Sequence, residues 1–468
     1  MSPRSHAGHA PVSVFALVLA LALPAPAKGQ TLDRSLVAPA VDSIVASALK
    51  DGRAAGMSVA VVRGRDTLVL KGYGKADMEL DVPMPADAVY EIGSVTKQFT
   101  AAAILQLMEQ GKLSLDDELA KYVPAFARAA QPVTLRQLLN HTSGIYEYTK
   151  LPFAFHPEVP PPPSYDSLAA ILAAMPVDFA PGTRMVYDNS GFYLLGMVVD
   201  KVSGEPYWQY IARHVFEPAG MTHSRYCDNE TVVKNRAHGY RLAGSSGLTL
   251  APYLDMRWPY SAGALCSTAG DLVAWHRALH GGRILGPAGY KALLATGTLA
   301  DGTPLRYANG LGFDSAFGHR RIWHGGTIPG FRTQLEYYPD EAVTIAVLVN
   351  TLGPVAPQAV ARSIGEVLFG KPAARKAAPY RGKLADFVGE YAGVTRAGEM
   401  TVTVAVDSTG ALMARLPESR PGRLEYLAGN TFAAGDVRLT FRREKGVVTA
   451  VVVDNVIGCT VMRRQRGI

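Results

Sequence analysis

Ser94 and Lys97, whose side chains could take part in catalysis, lie three positions apart at the start of a predicted helix. Gly93 marks a turn before them, and the helix formers of Thr100–Glu109 follow. Side chains three apart share one face of a helix, so the amine would lie beside the hydroxyl. A helix N-terminus favours a developing oxyanion, and a nearby amine can activate the hydroxyl. The pair predicts a nucleophilic serine. The alternative is a serine that caps the helix beside an ordinary surface lysine.

Two further segments carry polar side chains at positions where catalytic or binding residues often occur. Tyr187 and Asn189 lie on a predicted loop that leads into a helix. His324 stands in a predicted strand and is followed by Gly325 and Gly326. Glycines within a strand allow another backbone to approach closely. Both segments are therefore candidates for the walls of a site around the serine.

The elements that must hold these residues fall into two β-rich regions separated by helices. A predicted hairpin spans 57–70, and three predicted strands follow one another across 321–349, with turns at Pro329 and Pro339. This order predicts an α/β (α+β) fold, in which one antiparallel sheet is flanked by helices and interrupted by an all-helical insert. His141 ends a predicted helix of this insert, where we expect it to satisfy loop backbone instead of acting in catalysis.

The chain is too long for one ordinary core, and its composition divides it into four segments. Residues 1–27 carry Arg4, an apolar run and a small-x-small cleavage site, which predict a signal peptide and an exported protein, periplasmic or secreted. An uncleaved membrane anchor is the alternative. Residues 28–370 form the predicted catalytic domain, 371–380 a linker, and 381–468 a small C-terminal antiparallel β-barrel-like domain.

The formal net charge of +7 is concentrated at the C-terminus. From Lys371 onward sixteen Lys and Arg stand against nine Asp and Glu, whereas residues 28–370 carry 30 basic and 31 acidic side chains. The basic segment predicts either peripheral contact with an anionic surface or simply a solvated face. The sequence has no nucleic-acid-binding motif, so no nucleic-acid partner is predicted.

The three cysteines, Cys227, Cys266 and Cys459, leave the disulfide pattern open. An exported protein can form a disulfide, but an odd count leaves one thiol over, and the sequence does not choose the pair. None of the three stands beside a histidine or in a Cys-x-x-Cys motif. They are therefore predicted to be small buried or half-buried residues, not nucleophiles or metal ligands.

Three motifs in this order, Ser94-x-x-Lys97, Tyr187-Asp188-Asn189 and His324-Gly325-Gly326, resemble those of the β-lactamase-related serine hydrolases. The similarity spans roughly Leu36 to Phe369. It is greatest for the branch that holds class C β-lactamases, D-alanyl-D-alanine carboxypeptidases, D-aminopeptidases and some esterases. The resemblance implies the serine β-lactamase/DD-peptidase fold for this part of the chain.

The resemblance also implies a role for each motif. Ser94 would attack an acyl carbon to form an ester intermediate, and Lys97 and Tyr187 would exchange its proton. Which of the two is the base stays open, because a neighbouring amine and phenol titrate as a pair. Asn189 would orient Lys97 or hold a substrate amide. The backbone N–H groups of Ser94 and Thr327 would form the oxyanion hole.

The third motif departs from the pattern of the family at His324, where its β-lactamases and carboxypeptidases carry lysine. An imidazole is mostly neutral at pH 7, which weakens the expectation that a substrate carboxylate binds here. The histidine form is similar to D-aminopeptidases and related esterases. His324 either contacts substrate or only packs against Trp323. Gly325 and Gly326 would let the substrate pair with the strand.

The residues and the resemblance together predict a serine hydrolase that cleaves an amide or ester in a small molecule or peptide, with peptidoglycan-derived D-amino-acid peptides as one candidate class. A β-lactamase or D,D-carboxypeptidase is the first alternative. A sensor that binds penicillins or peptidoglycan fragments with poor turnover is the second. The sequence has no Gly-x-Ser-x-Gly elbow, which disfavours an α/β-hydrolase. It has no His-Glu-x-x-His motif either, so no metal and no cofactor are predicted.

Overall fold

The computed structural model describes residues 34–128, 131–155, 164–244, 247–371, 379–395, 398–416 and 420–465. The predicted signal peptide and most of the predicted linker lie outside these ranges, so both stay predictions. None of the described helices combines the length and the apolar character that crossing a lipid bilayer requires.

The α-helices of the described residues and the first fifteen strands lie in the predicted catalytic domain. In chain order these strands are β1 (Gly56–Arg63), β2 (Asp66–Asp77), β3 (Val82–Pro83), β4 (Tyr90–Glu91), β5 (Met185–Val186), β6 (Arg225–Tyr226), β7 (Tyr240–Leu242), β8 (Leu248–Leu250), β9 (Leu265–Ser267), β10 (Tyr307–Ala308), β11 (Leu311–Ala316), β12 (His319–Ile328), β13 (Phe331–Tyr338), β14 (Val343–Val349) and β15 (Thr351–Leu352). The α-helices are α1 (Arg34–Leu49), α2 (Thr96–Glu109), α3 (Leu135–Leu139), α4 (Tyr165–Ala174), α5 (Ser190–Ser203), α6 (Tyr207–Ile211), α7 (Glu217–Ala219), α8 (Tyr260–Gly263), α9 (Ala269–His280), α10 (Pro287–Leu293) and α11 (Pro357–Phe369).

The main sheet is antiparallel and runs in the order β10-β11-β12-β13-β14-β1-β2-β3. The predicted hairpin is β1 and β2, and the three predicted strands are β12 to β14. The two regions join where β1 pairs with β14, with Ala60 opposite Ala346. Helices lie on both faces, and every residue of β14 is buried. The predicted fold class is confirmed.

Two apolar layers hold this sheet between helices. On one face, Val41 of α1 and Ile364 of α11 pack in a cluster with Val59 of β1. On the other face, α2 and α9 pack together, and the rings of Phe99 and Trp275 stack with centroids 4.3 Å apart. The helix α2 that carries Lys97 is thereby fixed between the sheet and the helical insert.

The C-terminal domain is a curved, barrel-like antiparallel sheet. Its strands are β16 (Gly389–Thr395), β17 (Gly398–Val406), β18 (Leu412–Arg415), β19 (Gly422–Arg423), β20 (Glu425–Ala428), β21 (Thr431–Ala434), β22 (Val437–Glu444), β23 (Val447–Asp454) and β24 (Gly458–Arg464). They follow the order β19-β18-β17-β16-β24-β23-β22-β21-β20 around a core that includes Phe387, Phe432 and Phe441. The domain also touches the first one directly, because β24 pairs with β5.

The structure settles the cysteine pattern that the sequence left open. Cys227 and Cys266 form a disulfide, and their Cα atoms lie 5.2 Å apart. The pairing of β6 with β9, which sets Arg225 opposite Cys266, brings the two segments together. Cys459 is buried with a free thiol, and burial raises its pKa to about 12. This thiol is therefore a packing residue, as predicted, and not a nucleophile.

Candidate active site

Ser94 lies in a single 3-10 turn, Gly93–Val95, that runs directly into α2. Gly93 has φ +52°, and a Cβ atom there would lie 2.9 Å from the backbone nitrogen of Thr327. Only glycine tolerates both the left-handed backbone and this close approach. The turn is thus pressed against β12, which places the Ser94 backbone beside that of Thr327.

Lys97 lies one turn further along α2 and is completely buried. Its Nζ donates hydrogen bonds to Ser94 Oγ at 3.1 Å, to Asn189 Oδ1 at 2.8 Å and to the Ala262 carbonyl at 2.9 Å. Because burial of an unpaired charge costs several kcal/mol, this set of acceptors explains how Lys97 is accommodated. The predicted contact between the amine and the hydroxyl is present.

Asn189 is held by a buried carboxylate that the sequence did not single out. Glu147, which is 2% exposed, accepts a hydrogen bond from the Asn189 backbone nitrogen at 2.8 Å and one from its side-chain Nδ2 at 3.4 Å. With Nδ2 directed to Glu147, Oδ1 is directed to Lys97. Of the two roles predicted for Asn189, the geometry favours orientation of Lys97.

Tyr187 lines the same cleft and is 6% exposed. The centre of its ring lies 5.0 Å from Lys97 Nζ, so the phenol and the amine are neighbours. The ring of His141 packs against the Tyr187 ring with centroids 4.3 Å apart. His141 is fully buried, and its Nδ1 accepts a hydrogen bond from the Asp188 backbone nitrogen at 3.3 Å. His141 therefore supports Tyr187 from behind and does not line the cleft.

The strand β12 forms one wall of the cleft along an edge that β11 does not cover. Among the described residues, the pairing of β11 with β12 ends at Trp323, while β13 pairs with β12 as far as Ile328. The segment from His324 to Thr327 therefore keeps one backbone edge toward the cleft. A substrate backbone could add to this edge as an extra strand. The backbone N–H groups of Ser94 and Thr327 are the predicted oxyanion donors beside it.

Gly326 provides a test of this close approach. A Cβ atom on Gly326 would lie 2.0 Å from the Ile92 carbonyl oxygen and 3.4 Å from the Ser94 nitrogen, so alanine would push β12 away from the Ser94 turn. Because the oxyanion hole would open, we expect Gly326→Ala to lower kcat/KM by about 10²-fold or more. The measurement is steady-state hydrolysis of a p-nitrophenyl ester.

The matched control is Gly325→Ala in the same strand. Its Cβ atom would lie 3.2 and 3.3 Å from the side-chain ends of Gln334 and Gln358 and 3.6 Å from the Thr333 carbonyl oxygen, so its nearest backbone contact is an ordinary van der Waals distance. We expect this variant to stay within about tenfold of the wild type. Equal losses in the two variants would show that the backbone contact at Gly326 has no special role.

His324 lines the cleft but is only 4% exposed, and both ring nitrogens are engaged. Nε2 lies 2.9 Å from the Tyr307 hydroxyl and Nδ1 lies 2.5 Å from the Gly325 carbonyl oxygen. Burial, followed by the charge of Lys97, lowers the pKa of His324 to about 3. The imidazole is therefore neutral at pH 7 and supplies no fixed cation for a substrate carboxylate.

The depressed pKa of His324 predicts a loss of stability in acid. Between the ordinary value of 6.5 and about 3, the unfolded chain binds a proton on this imidazole that the folded chain does not. The free energy of unfolding should therefore fall as pH is lowered through this window, by about 1.4 kcal/mol per pH unit from this group. Denaturant unfolding at pH 7, 5.5 and 4.5 measures the slope. His324→Asn should lower the slope by that amount, and an unchanged slope would contradict the assignment.

The cleft around these residues has a volume of about 630 Å³. Its apolar walls include the aromatic rings of Tyr148, Phe155 and Trp323, and Ile457 of the C-terminal domain closes part of its rim. A cleft with mostly apolar walls and a few convergent polar groups is typical of a small-molecule site. The site predicted from the sequence is thus assembled at one place.

One group of potential metal ligands occurs among the described residues, and it lies outside this cleft. Asp77, Glu79 and His238 place ligand atoms within 4.8 Å of one another. Asp77 Oδ1 already accepts hydrogen bonds from the backbone nitrogens of Glu79 and Leu80. Sequence reasoning missed the group because His238 is far from the other two along the chain. The site around Ser94 does not involve it.

Several contacts within the site were not predicted from the sequence. The Ala262 carbonyl, the Glu147 carboxylate and the Tyr307 hydroxyl each complete the contacts of a predicted residue. A carbonyl is present in every residue and leaves no signal in the side-chain pattern. Glu147 lies a few residues after the Asn140–Gly144 segment. Its role could have been predicted only from the burial of its carboxylate, and the sequence does not show which carboxylates are buried.

Comparisons with known proteins identify the family of the chain. The beta-lactamase family model matches residues 41–369. Protein flp of Staphylococcus aureus (strain MRSA252) is 28% identical over 333 residues, which cover 68% of this chain and 64% of flp. The structure of a D-stereospecific amidohydrolase from Streptomyces sp. shares 27% identity and a TM-score of 0.60, over 71% of this chain and 98% of that one. The octameric penicillin-binding protein homologue from Pyrococcus abyssi shares 26% identity and a TM-score of 0.62, over 91% and 99%.

The family model covers well over half of the chain and contains all three motifs. The protein therefore belongs to the beta-lactamase family, and the predicted family is confirmed. The chain spans less than two thirds of the length of flp. The similarity to the Pyrococcus structure extends beyond the family model and so includes part of the C-terminal domain.

Proposed function

We propose that the protein is a serine hydrolase that cleaves an amide or ester through an acyl-enzyme on Ser94. The observation that carries this proposal is the 3.1 Å contact between Lys97 Nζ and Ser94 Oγ in a cleft of about 630 Å³. A hydroxyl beside a buried amine, with a third group orienting the amine, is the arrangement of an activated nucleophile. Membership of the beta-lactamase family supports the same chemistry.

The reaction follows from these contacts. Ser94 Oγ bonds to the substrate carbonyl carbon while its proton passes to Lys97 or Tyr187, and the geometry leaves the choice between them open. The carbonyl oxygen becomes an oxyanion that accepts hydrogen bonds from the Ser94 and Thr327 nitrogens. When the tetrahedral intermediate collapses, the amine or alcohol leaves with a proton. Water then gives up a proton and adds to the ester carbon, the bond between that carbon and Ser94 Oγ breaks, and the acid leaves while Oγ regains a proton.

The substrate we favour is an amide or ester of a D-amino acid without a free carboxylate next to the cleaved bond. The similar Streptomyces protein is a D-stereospecific amidohydrolase. In this chain the neutral His324 stands where a carboxylate-binding cation would be needed, which disfavours a D,D-carboxypeptidase or a β-lactamase. The aromatic rings of Tyr148, Phe155 and Trp323 suit an apolar side chain on the substrate.

We also propose that the protein is exported. The support is the N-terminal pattern of residues 1–27 together with the Cys227–Cys266 disulfide, since disulfides persist in oxidising compartments. N-terminal sequencing of the protein recovered from the medium or periplasm tests this proposal. A protein that is retained in the cytoplasm with Arg4 still attached would contradict it.

A panel of acyl donors tests the enzymatic proposal. The mature protein is incubated with D- and L-alanine p-nitroanilide, p-nitrophenyl acetate, D-alanyl-D-alanine and a fluorescent penicillin. We expect the protein to hydrolyse the ester. We also expect it to release nitroaniline from the D-amide at least about tenfold faster than from the L-amide. Faster cleavage of D-alanyl-D-alanine or of the penicillin would favour the alternatives. Stoichiometric labelling by penicillin without turnover of any substrate would indicate a sensor.

A further inference from the structure

The C-terminal domain reaches the active site through a continuous strand pair. In the pairing of β24 with β5, Gly458 lies opposite Val186 and Cys459 lies opposite Met185. The residue that follows Val186 is Tyr187. The backbone that carries the phenol of the site is therefore fixed on one side by the barrel-like sheet.

The turn between β23 and β24 is anchored firmly to the first domain. Val456 is 1% exposed and has φ +73°, which is rare and strained for a β-branched residue. Its nitrogen donates to Asp454 Oδ1 at 2.9 Å, and Arg306 of the first domain donates to Asp454 Oδ2 at 2.5 Å. A strained turn that is held in this way gives the next residue, Ile457, a fixed position at the cleft.

Behind Ile457 lies a second cavity of about 260 Å³. It shares Tyr187 and Ile457 with the cleft, so these two side chains stand between the two spaces. Its other walls are mostly apolar, and they include Met185, Met400, Leu416, Val437, Val453 and Met462. Methionine and aliphatic side chains can adjust to a flexible apolar ligand.

We propose that this cavity binds the apolar acyl chain of the substrate and that Ile457 forms its entrance from the cleft. The proposal rests on the proposed function of Ser94. Among the amides and esters of D-amino acids favoured above, it selects those whose acyl part carries a chain of several methylene groups, and p-nitrophenyl alkanoates serve as probes of that chain. The observation that supports the proposal is that the two cavities adjoin each other. A chain attached to an acyl carbon at Ser94 would pass Tyr187 and Ile457 as it moves from solvent into the apolar cavity. Each buried methylene is worth about 0.8 kcal/mol, about a threefold to fourfold gain.

A chain-length series measures the cavity directly. The kinetics of hydrolysis of p-nitrophenyl acetate, butyrate, hexanoate and octanoate are compared at ester concentrations below the critical micelle concentration. We expect kcat/KM to rise from butyrate to octanoate by on the order of 10²-fold, at about threefold per methylene. Met400→Trp, which fills the cavity, should lower the octanoate-to-acetate ratio of kcat/KM at least about tenfold. Ile457→Ala should raise that ratio by widening the entrance.

The matched control is Val447→Trp, which adds the same bulk at a 60% exposed position of the same domain that lines neither cavity. It should reproduce the wild-type series. A flat series in the wild type, or equal ratios in Met400→Trp and the control, would overturn the proposal while leaving ester hydrolysis by Ser94 intact.

A binding measurement separates this proposal from the catalytic one. The Ser94→Ala variant is titrated with octanamide, and isothermal titration calorimetry reports binding without turnover. We expect saturable binding that Met400→Trp weakens at least about tenfold and Val447→Trp leaves unchanged. Binding that is absent, or that responds equally to both substitutions, would overturn the proposal even if the enzyme is active.

Discussion

Ser94→Ala should lower kcat/KM for every substrate that the protein turns over by about 10⁴-fold or more, because the substitution removes the hydroxyl that we propose as the nucleophile. The substitution removes one oxygen atom from the 3-10 turn. Lys97 keeps Asn189 Oδ1 and the Ala262 carbonyl as acceptors. The loss should therefore appear in turnover and not in folding. Steady-state kinetics beside thermal unfolding measure both quantities.

The control for this prediction is Ser43→Ala. Ser43 is an exposed serine of α1 whose hydroxyl donates only to the Pro39 carbonyl, in the described structure. We expect its kinetics to match those of the wild type. Residual turnover of Ser94→Ala within about tenfold of the wild type would mean that another group is the nucleophile.

Lys97→Met should lower kcat/KM by about 10³–10⁴-fold, the range associated with loss of a general acid–base group. Methionine keeps the length of the buried stem but has no donor for Ser94, Asn189 or the Ala262 carbonyl. The hydroxyl then loses the amine that lies 3.1 Å away, which is one of the two groups that we propose as its proton acceptor. Single-turnover kinetics separate slower acylation from weaker substrate binding.

Lys112→Met provides the comparison for this second substitution. Lys112 is exposed, follows the end of α2 and is absent from the walls of the cleft. The variant should retain wild-type kinetics. If Lys97→Met folds and keeps acylation within about tenfold, then Tyr187 alone moves the proton of Ser94, and the role of the lysine is structural.

Much of the fold was predictable because its signals are local. The hairpin β1-β2, the strands β12 to β14 and the helix α2 were each predicted from runs of β-branched or helix-forming residues between turn residues. The Ser94 and Lys97 pair was predictable for the same reason. Its geometry depends on helical spacing alone, and the two side chains do share one face.

The parts that escaped prediction depend on contacts between distant segments. The orientation of Asn189 is set by Glu147, which is 42 residues away, and Lys97 is held by a carbonyl 165 residues away. The pairing of Cys227 with Cys266 follows from the docking of β6 on β9, which no property of the cysteines encodes.

The role of the C-terminal domain was hidden for a similar reason. The sequence showed a set of short strands without catalytic residue types, which is what the structure contains. Ile457 is brought to the cleft by the pairing of β24 with β5. One isoleucine in a turn is indistinguishable from any other until its neighbours are known.

Mass spectrometry of the acylated protein identifies the nucleophile. The protein is mixed with an ester whose acyl group hydrolyses slowly, quenched in acid, and analysed intact and after proteolysis. We expect one acyl group per chain, attached to the peptide that contains Ser94, and none on Ser94→Ala. An adduct on another residue, or turnover without any adduct under conditions where deacylation is rate-limiting, would contradict it.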